Sequence, residues 1–315
     1  MNAHRYIRFA AAFNLIFFAA TAHAGIFTGL GAMGDSGTER HSVENSWVPV
    51  LEQTCGLNFG PGSSYNFAVG GSTISRLIGK VDQDGQIASL VAAGEVTVPI
   101  LLIGGKDFGN PRFRGLLDGT TPPSEREEII ESATENIKTA VDTVLAEDPE
   151  GFILFSVPEI GLAPVWREIT GGDPALEDFV SSSVAMINDE LRIFAVERKI
   201  AFVDIAATRR DFLTPGFFEL GGVTIDTVNQ GQGTNFFNDR LHPSSIGNGI
   251  LANLVMTALN DAYKTDLELL SDLEILELRG LEEQYTGETF SSVADFSPYV
   301  VFVPESSSWL MMILA

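Results

Sequence analysis

The sequence predicts an α/β protein, a three-layer α/β/α sandwich built on a five-stranded parallel sheet. Two observations carry that expectation. Five short runs are almost wholly apolar and rich in β-branched residues, and longer stretches of helical periodicity lie between them. A strand that is apolar on both faces must be covered on both, which is the situation of a parallel sheet between two helical layers.

The strands are expected at 26–33, 65–69, 98–103, 152–157 and 200–205. Helices are expected at 45–53, 87–93, 125–146 and 175–198, with a last one over 245–263 after the pair His242-Pro243. Ser124 followed by Glu127 has the spacing of a capping box and marks the start of the third helix. The acidic run from Glu125 to Glu135 reads as that helix's solvated face. No internal repeat interrupts this order, and 25–263 has the size of one domain.

Both ends have a different character. In segment 1–24, Arg5 and Arg8 precede an apolar run broken only by Asn14, and Ala22-His23-Ala24 has the small-x-small form of a secretory cleavage site. The segment reads as a signal peptide, so the expected location is outside the cytoplasm: periplasm, cell surface or medium. After Tyr263, residues 264–315 form an acidic appendage in which Asp and Glu alternate with Leu and Ile too closely to separate helix from strand. Val303-Pro304-Glu305 resembles the start of the Pro-Glu-Pro sorting signal of exported bacterial proteins. Ser306 replaces its second proline, and the final apolar run falls well short of the roughly 20 residues a span needs. Membrane contact is expected only through export or through that tail.

Composition excludes several functions. The chain of 315 residues carries 42 Asp and Glu against 19 Lys and Arg, a formal charge of −23, which would repel a phosphate backbone. A nucleic-acid partner is therefore not expected. The single cysteine, Cys55, forms no internal disulfide or thiolate zinc cluster and reads as a small buried apolar residue. Once 1–24 is set aside, His41 and His242 are the only histidines. General-base chemistry near neutral pH falls to one of them, or to a carboxylate or lysine of shifted pKa, and a histidine-rich metal site is not expected.

Chemistry-bearing residues gather where strands end. The first strand runs into Gly34-Asp35-Ser36-Gly37, which places a serine at the carboxyl edge of a parallel sheet, where loops diverge and ligands bind. By itself this is also an ordinary turn composition. Far along the chain, Asn238-Asp239-Arg240-Leu241-His242-Pro243-Ser244 spaces an aspartate and a histidine so that the carboxylate can hold one ring nitrogen and leave the other free. The same two residues could instead cap the helix after Pro243. Between them, Asn66-Phe67-Ala68-Val69-Gly70-Gly71 follows the second strand, and Gly104-Gly105-Lys106-Asp107 follows the third.

As an ordered set these four blocks resemble those of the SGNH, or GDSL-type, hydrolases: Gly-Asp-Ser, Asn-x-Ala-x-x-Gly, Gly-x-Asn-Asp and Asp-x-x-His. The resemblance spans about 26–263 and implies a flavodoxin-like sandwich that cleaves carboxylic esters through an acyl-serine intermediate, without metal or other cofactor. It implies Ser36 as nucleophile, His242 as general base and acid, Asp239 as its orienter, and the N–H groups of Ser36 and Gly71 as oxyanion donors. Two positions depart from the pattern. Gly37 replaces the leucine after Gly-Asp-Ser. Lys106 replaces the asparagine that completes the oxyanion hole, so a short neutral amide becomes a long mobile cation that either reaches the oxyanion or turns away.

Other features read as background. Gly29-Leu30-Gly31-Ala32-Met33-Gly34 matches a dinucleotide fingerprint but overlaps the first strand where it should follow one. Asp82-Gln83-Asp84-Gly85 hints at a calcium loop, yet Lys80 and Val91 occupy its end positions, and a surface turn is the better account. His41 reads as an exposed loop histidine, and nothing in the spacing recruits Asn110 as a donor.

The expected activity is an exported serine hydrolase acting on a small-molecule, lipid or acylated-sugar ester. The alternative, motivated by Lys106, is a weakened surface binding or adhesion module on the same fold. A structural surface role would rest on the acidic appendage. Segment 214–237, rich in Gly, Phe and Asn, is expected to contribute to the pocket wall.

Overall fold

Gly34 sets the first structural constraint. It ends β1 (Leu30–Gly34), a fully buried strand of small and apolar residues, and a Cβ at this position would lie 2.2 Å from the carbonyl oxygen of Leu102. Only glycine allows the sheet to close this tightly at its carboxyl edge.

The structure is a computed structural model that describes residues 29–39, 44, 46–287 and 295–302. The signal-peptide segment, His41 and the sorting-signal-like tail lie outside those residues. After β1 come α1 (Trp47–Gln53), α2 (Ile74–Ile78), α3 (Gln83–Ala92), β2 (Val98–Leu102), α4 (Pro111–Asp118), α5 (Glu125–Leu145), β3 (Ile153–Phe155), α6 (Pro164–Thr170), α7 (Pro174–Arg198), β4 (Ala201–Val203) and α8 (Ile205–Leu213). A small second sheet follows, made of β5 (Phe217–Leu220), β6 (Val223–Gln230) and β7 (Asn235–Phe237). The chain closes with α9 (Ser245–Tyr263), α10 (Asp272–Glu277) and β8 (Val300–Val301).

The main sheet has the order β1-β2-β3-β4-β8, and its first four strands are parallel. Helices α3, α5 and α7 pack together on one face, while α1 and α9 pack together on the other. The expected α/β/α layering is therefore present, with two changes in the strands. Segment 65–69 is a single bridge, Ala32 to Asn66, supported by backbone bonds from Ala32 to Tyr65 and from Phe67 and Val69 back to β1. The fifth paired strand is β8, which runs antiparallel to β4.

Local chemistry explains most boundaries. Ser46 caps α1 by accepting from Val48 N–H, and Asp173 caps α7 by accepting from Ala175 N–H. Proline stands in the first turn of α4, α6 and α7, where its missing donor costs nothing. Ser124 has helical backbone angles and makes no side-chain cap, so the expected capping box is absent there. One forms instead at Ser271 and Glu274, and it opens α10. α10 packs on α9, and the Asn253 amide grips both backbone groups of Leu270.

The segment expected as a surface turn at 82–85 is corrected by the fold. Asp82 adopts a left-handed conformation and starts α3 at Gln83, three turns of helix whose inward face is Gln83, Asp84, Ile87, Ala88 and Val91. The buried Gln83 amide accepts from Gly34 N–H at 2.8 Å and donates to Gly34 C=O at 3.0 Å. Gly34 C=O also accepts from Val69 N–H, whereas its N–H depends on Gln83. Replacing Gln83 by Leu would bury that N–H unpaired, an expected loss of about 1–3 kcal/mol. Urea unfolding of Gln83→Leu should show the midpoint falling with the slope unchanged; an unchanged midpoint would contradict the role of this clamp.

Candidate active site

The turn after β1 presents Ser36. Asp35 C=O accepts from the N–H groups of Thr38 and Glu39, and the Asp35 carboxylate accepts from Gly37 N–H at 3.0 Å, so one helical turn fixes the serine directly behind the clamped Gly34. The Asn66 amide ties the next loop to the same turn by donating to Thr38 C=O at 2.7 Å.

The partner segment is held as firmly. β7 and the start of α9 are joined by a bridge between Phe237 and Pro243, and by the bond from Ser244 N–H to Phe236 C=O at 2.7 Å. Between them 238–242 forms a closed loop. Asn238 N–H bonds His242 C=O at 2.9 Å, and Arg240 pairs with Glu168 of α6. Within the loop one Asp239 oxygen accepts from the backbone N–H groups of Leu241 and His242, both at 2.7 Å, and the other lies 2.8 Å from His242 Nδ1.

His242 Nε2 stands 2.7 Å from Ser36 Oγ. A carboxylate can only accept, so Nδ1 must carry the proton that faces Asp239. In the neutral ring Nε2 is then the acceptor, and the serine hydroxyl donates to it. The two readings left open by sequence for Asp239 and His242 are thereby separated. Neither side chain caps α9; they form a line of hydrogen bonds from carboxylate to ring to hydroxyl.

Gly71 lies beside the same edge, in the loop that leaves β1 at Val69. Its φ of +71° is one that residues with a Cβ rarely adopt, and a Cβ would meet nothing within 4 Å. Among the described residues the N–H groups of Ser36 and Gly71 have no acceptor. Lys106 contributes to the wall of the cavity in front of Ser36. Its side chain is exposed, lies back over Gly109, and makes no hydrogen bond or ion pair among the described residues. Asn110 is turned to another task, capping α4 by accepting from Arg112 N–H at 2.8 Å.

The electrostatics are those of a partly dry crevice. Burial raises the pKa of Asp35 and outweighs its bond from Gly37 and the nearby His242 and Arg209. Burial, with Asp35 as a like-charged neighbour, pushes Asp107 up to about 7, although its carboxylate accepts from Ile74 N–H at 3.0 and 3.1 Å. For Asp239, burial works upward but is outweighed by the His242 and Leu241 N–H groups and the His242 ring, and its pKa falls below the ordinary value. Burial pushes Arg209 down to about 10 against the pull of Glu159 and Asp35.

Residues 32–250 match the GDSL-like Lipase/Acylhydrolase family, well over half of the chain, and the protein belongs to that family. Solved structures similar to it include a GDSL-like lipase from Bacteroides thetaiotaomicron, with 17% identity, 75% of this chain and 89% of the other covered, and a TM-score of 0.45. An acetylxylan esterase from Geobacillus stearothermophilus has 16% identity, coverage of 73% and 93%, and a TM-score of 0.43. An extracellular lipase from Streptomyces rimosus has 13% identity, coverage of 73% and 99%, and a TM-score of 0.49. The comparison with curated proteins gave no match.

Two residues at the site escaped the sequence reading. Gln83 would have been found by starting the helical stripe at 83 instead of 87, since 83, 87 and 91 share a face. Arg209 sits at the same inward spacing between Ile205 and Phe212 on a helix too short for periodicity to mark.

Asp107 gives a pH-dependent test of this environment. Its folded pKa of about 7 lies above the ordinary 3.8, so between those values the native state holds more protons than the unfolded one, and stability falls as pH rises. That cost is absent below the lower value and complete above the upper. Asp107→Asn should therefore raise the melting temperature more at pH 8 than at pH 4, and an equal shift at both would contradict the assignment.

Proposed function

We propose that the protein is an exported serine hydrolase that cleaves carboxylic esters of lipids or acylated carbohydrates through an acyl-enzyme on Ser36. The observation that carries this reading is the unbroken line Asp239–His242–Ser36, with heavy-atom distances of 2.8 and 2.7 Å. The family supplies the reaction class, and the N-terminal segment 1–24 supports export.

In this mechanism Ser36 Oγ attacks the ester carbonyl while its proton passes to His242 Nε2, and Asp239 steadies the imidazolium that forms. The carbonyl π electrons move to its oxygen, and the free N–H groups of Ser36 and Gly71 are the proposed donors to that oxyanion. Collapse of the tetrahedral intermediate expels the alcohol, which takes the proton from His242. Water then repeats the sequence, with His242 as base, and releases the acid.

Lys106 bears on rate more than on identity. A lysine lying over Gly109 leaves the site one donor short of the family pattern, and losing one such donor costs about 10²–10³ in turnover in a well-studied protease. That shortfall is the observation favouring the second reading, a weakened binding module. Substituting Ser36 by Ala decides between them. Hydrolysis of an aryl acetate should drop by about 10³-fold or more with the melting temperature kept. A wild-type protein that binds esters with no turnover would favour the module, and turnover that survives in Ser36→Ala would move the nucleophile elsewhere.

A further inference from the structure

One wall of the cavity in front of Ser36 carries a group that the proposed hydrolytic steps do not use. Arg209 of α8 lines this cavity beside Asp35, Ser36 and His242. It also lines a second, apolar cavity against Phe212 and Phe236, and the two cavities share Ile205, Pro243 and Leu251. Arg209 thus stands in the wall common to the two cavities, between the reacting hydroxyl and an apolar recess.

Arginine is among the residues least often buried unless paired. Arg209 is only 9% exposed, and its guanidinium makes no hydrogen bond among the described residues; Nε is closed off from solvent, so the terminal nitrogens are the donors that can meet the cavity. Its charge is better provided for than its donors. Glu159 and Asp35 both lie near enough to stabilise the cation. One Glu159 oxygen accepts from Ser181 Oγ at 2.9 Å and Gly161 N–H at 3.2 Å; the other lies 3.6 Å from Arg210 Nη1 and makes no hydrogen bond among the described residues. What Arg209 lacks is an acceptor within bonding reach and not a further negative charge nearby, since among the described residues it forms no hydrogen bond or ion pair with either carboxylate. A third carboxylate brought there would also face Asp35 and Glu159, and approach a protein of net charge −23.

Resting on the hydrolase reading of Ser36, we propose that Arg209 sets specificity by donating to a neutral oxygen, a hydroxyl or carbonyl, that the substrate carries within a few bonds of its scissile ester. A site built to bond such an oxygen discriminates strongly against the analogue that lacks it, because the buried donor is then left unpaired. The oxygen belongs either to the acyl group or to the alcohol, and the two sources call for different substrates.

The test compares kcat/KM of the full-length protein and its Arg209→Met and Arg209→Lys variants. The acyl series is the 4-nitrophenyl esters of butyrate, 3-hydroxybutyrate and hemisuccinate; the alcohol series is ethyl acetate and glycerol monoacetate. In one series the neutral oxygen-bearing ester should be favoured about tenfold or more, with hemisuccinate no better than butyrate. The preference should vanish in Arg209→Met and shrink in Arg209→Lys, which keeps the charge and loses the planar fork. Equal rates within both series, a preference for hemisuccinate, or a preference that survives Arg209→Met would each overturn the inference while leaving the hydrolase reading intact. Should Arg209→Met not fold, the wild-type ratios and Arg209→Lys decide. Failure of the wild type to cleave any ester in either series would instead overturn the hydrolase reading, and this inference with it.

Discussion

The bond between Ser36 Oγ and His242 Nε2 joins residues 206 positions apart in sequence. A contact of 2.7 Å across so long a loop is not secured by either residue, because each sits on a connection outside the regular elements. It is secured by what grips those connections. On one side the Gln83 amide holds both polar groups of Gly34, and Asp35 winds the next turn around its own carbonyl. On the other, the Phe237–Pro243 bridge closes the loop that Asp239 stiffens from within. Positioning of this kind is what turns a hydroxyl and an imidazole into a reactive pair, since a small displacement removes the advantage of holding them together.

The same edge of the sheet concentrates groups that would be more comfortable in water. Asp35, Asp107 and Arg209 all have pKa values displaced first by burial. Such displacement is a cost to the fold, carried where a crevice must be dry enough to strengthen the interactions inside it. The surrounding framework tolerates it because the sheet and both helical layers form one continuous apolar core. In stability terms the site is a debit set against that core.

The sheet-forming runs and long helices were legible because apolar runs of β-branched residues and long amphipathic stretches are strong signals. The last long helix is found at 245–263, as the sequence indicated. Boundaries set by side-chain capping were less so: the Ser124 spacing produced no cap, whereas Ser271 did. The short helices α2, α4, α6 and α8 are too brief for periodicity to separate from loop. The composition of segment 214–237 indicates only a pocket wall; it folds as the second sheet, and its Phe236 reaches the apolar recess. At the site, Ser36, Asp239, His242 and Gly71 could be picked out because their blocks resemble a family pattern. Gln83 and Arg209 belong to no such pattern. Their importance comes from tertiary burial of a polar group, which composition does not report.

The central claim is that Ser36 is made reactive by His242. Peptide mapping after brief treatment of the full-length protein with a fluorophosphonate tests it most directly, because that reagent captures an activated serine without requiring knowledge of the substrate. A single adduct on the peptide containing Ser36, with labelling strongly slowed in His242→Ala, is the predicted result. An adduct on another residue, no adduct at all, or labelling at Ser36 that is indifferent to the loss of His242 would contradict it.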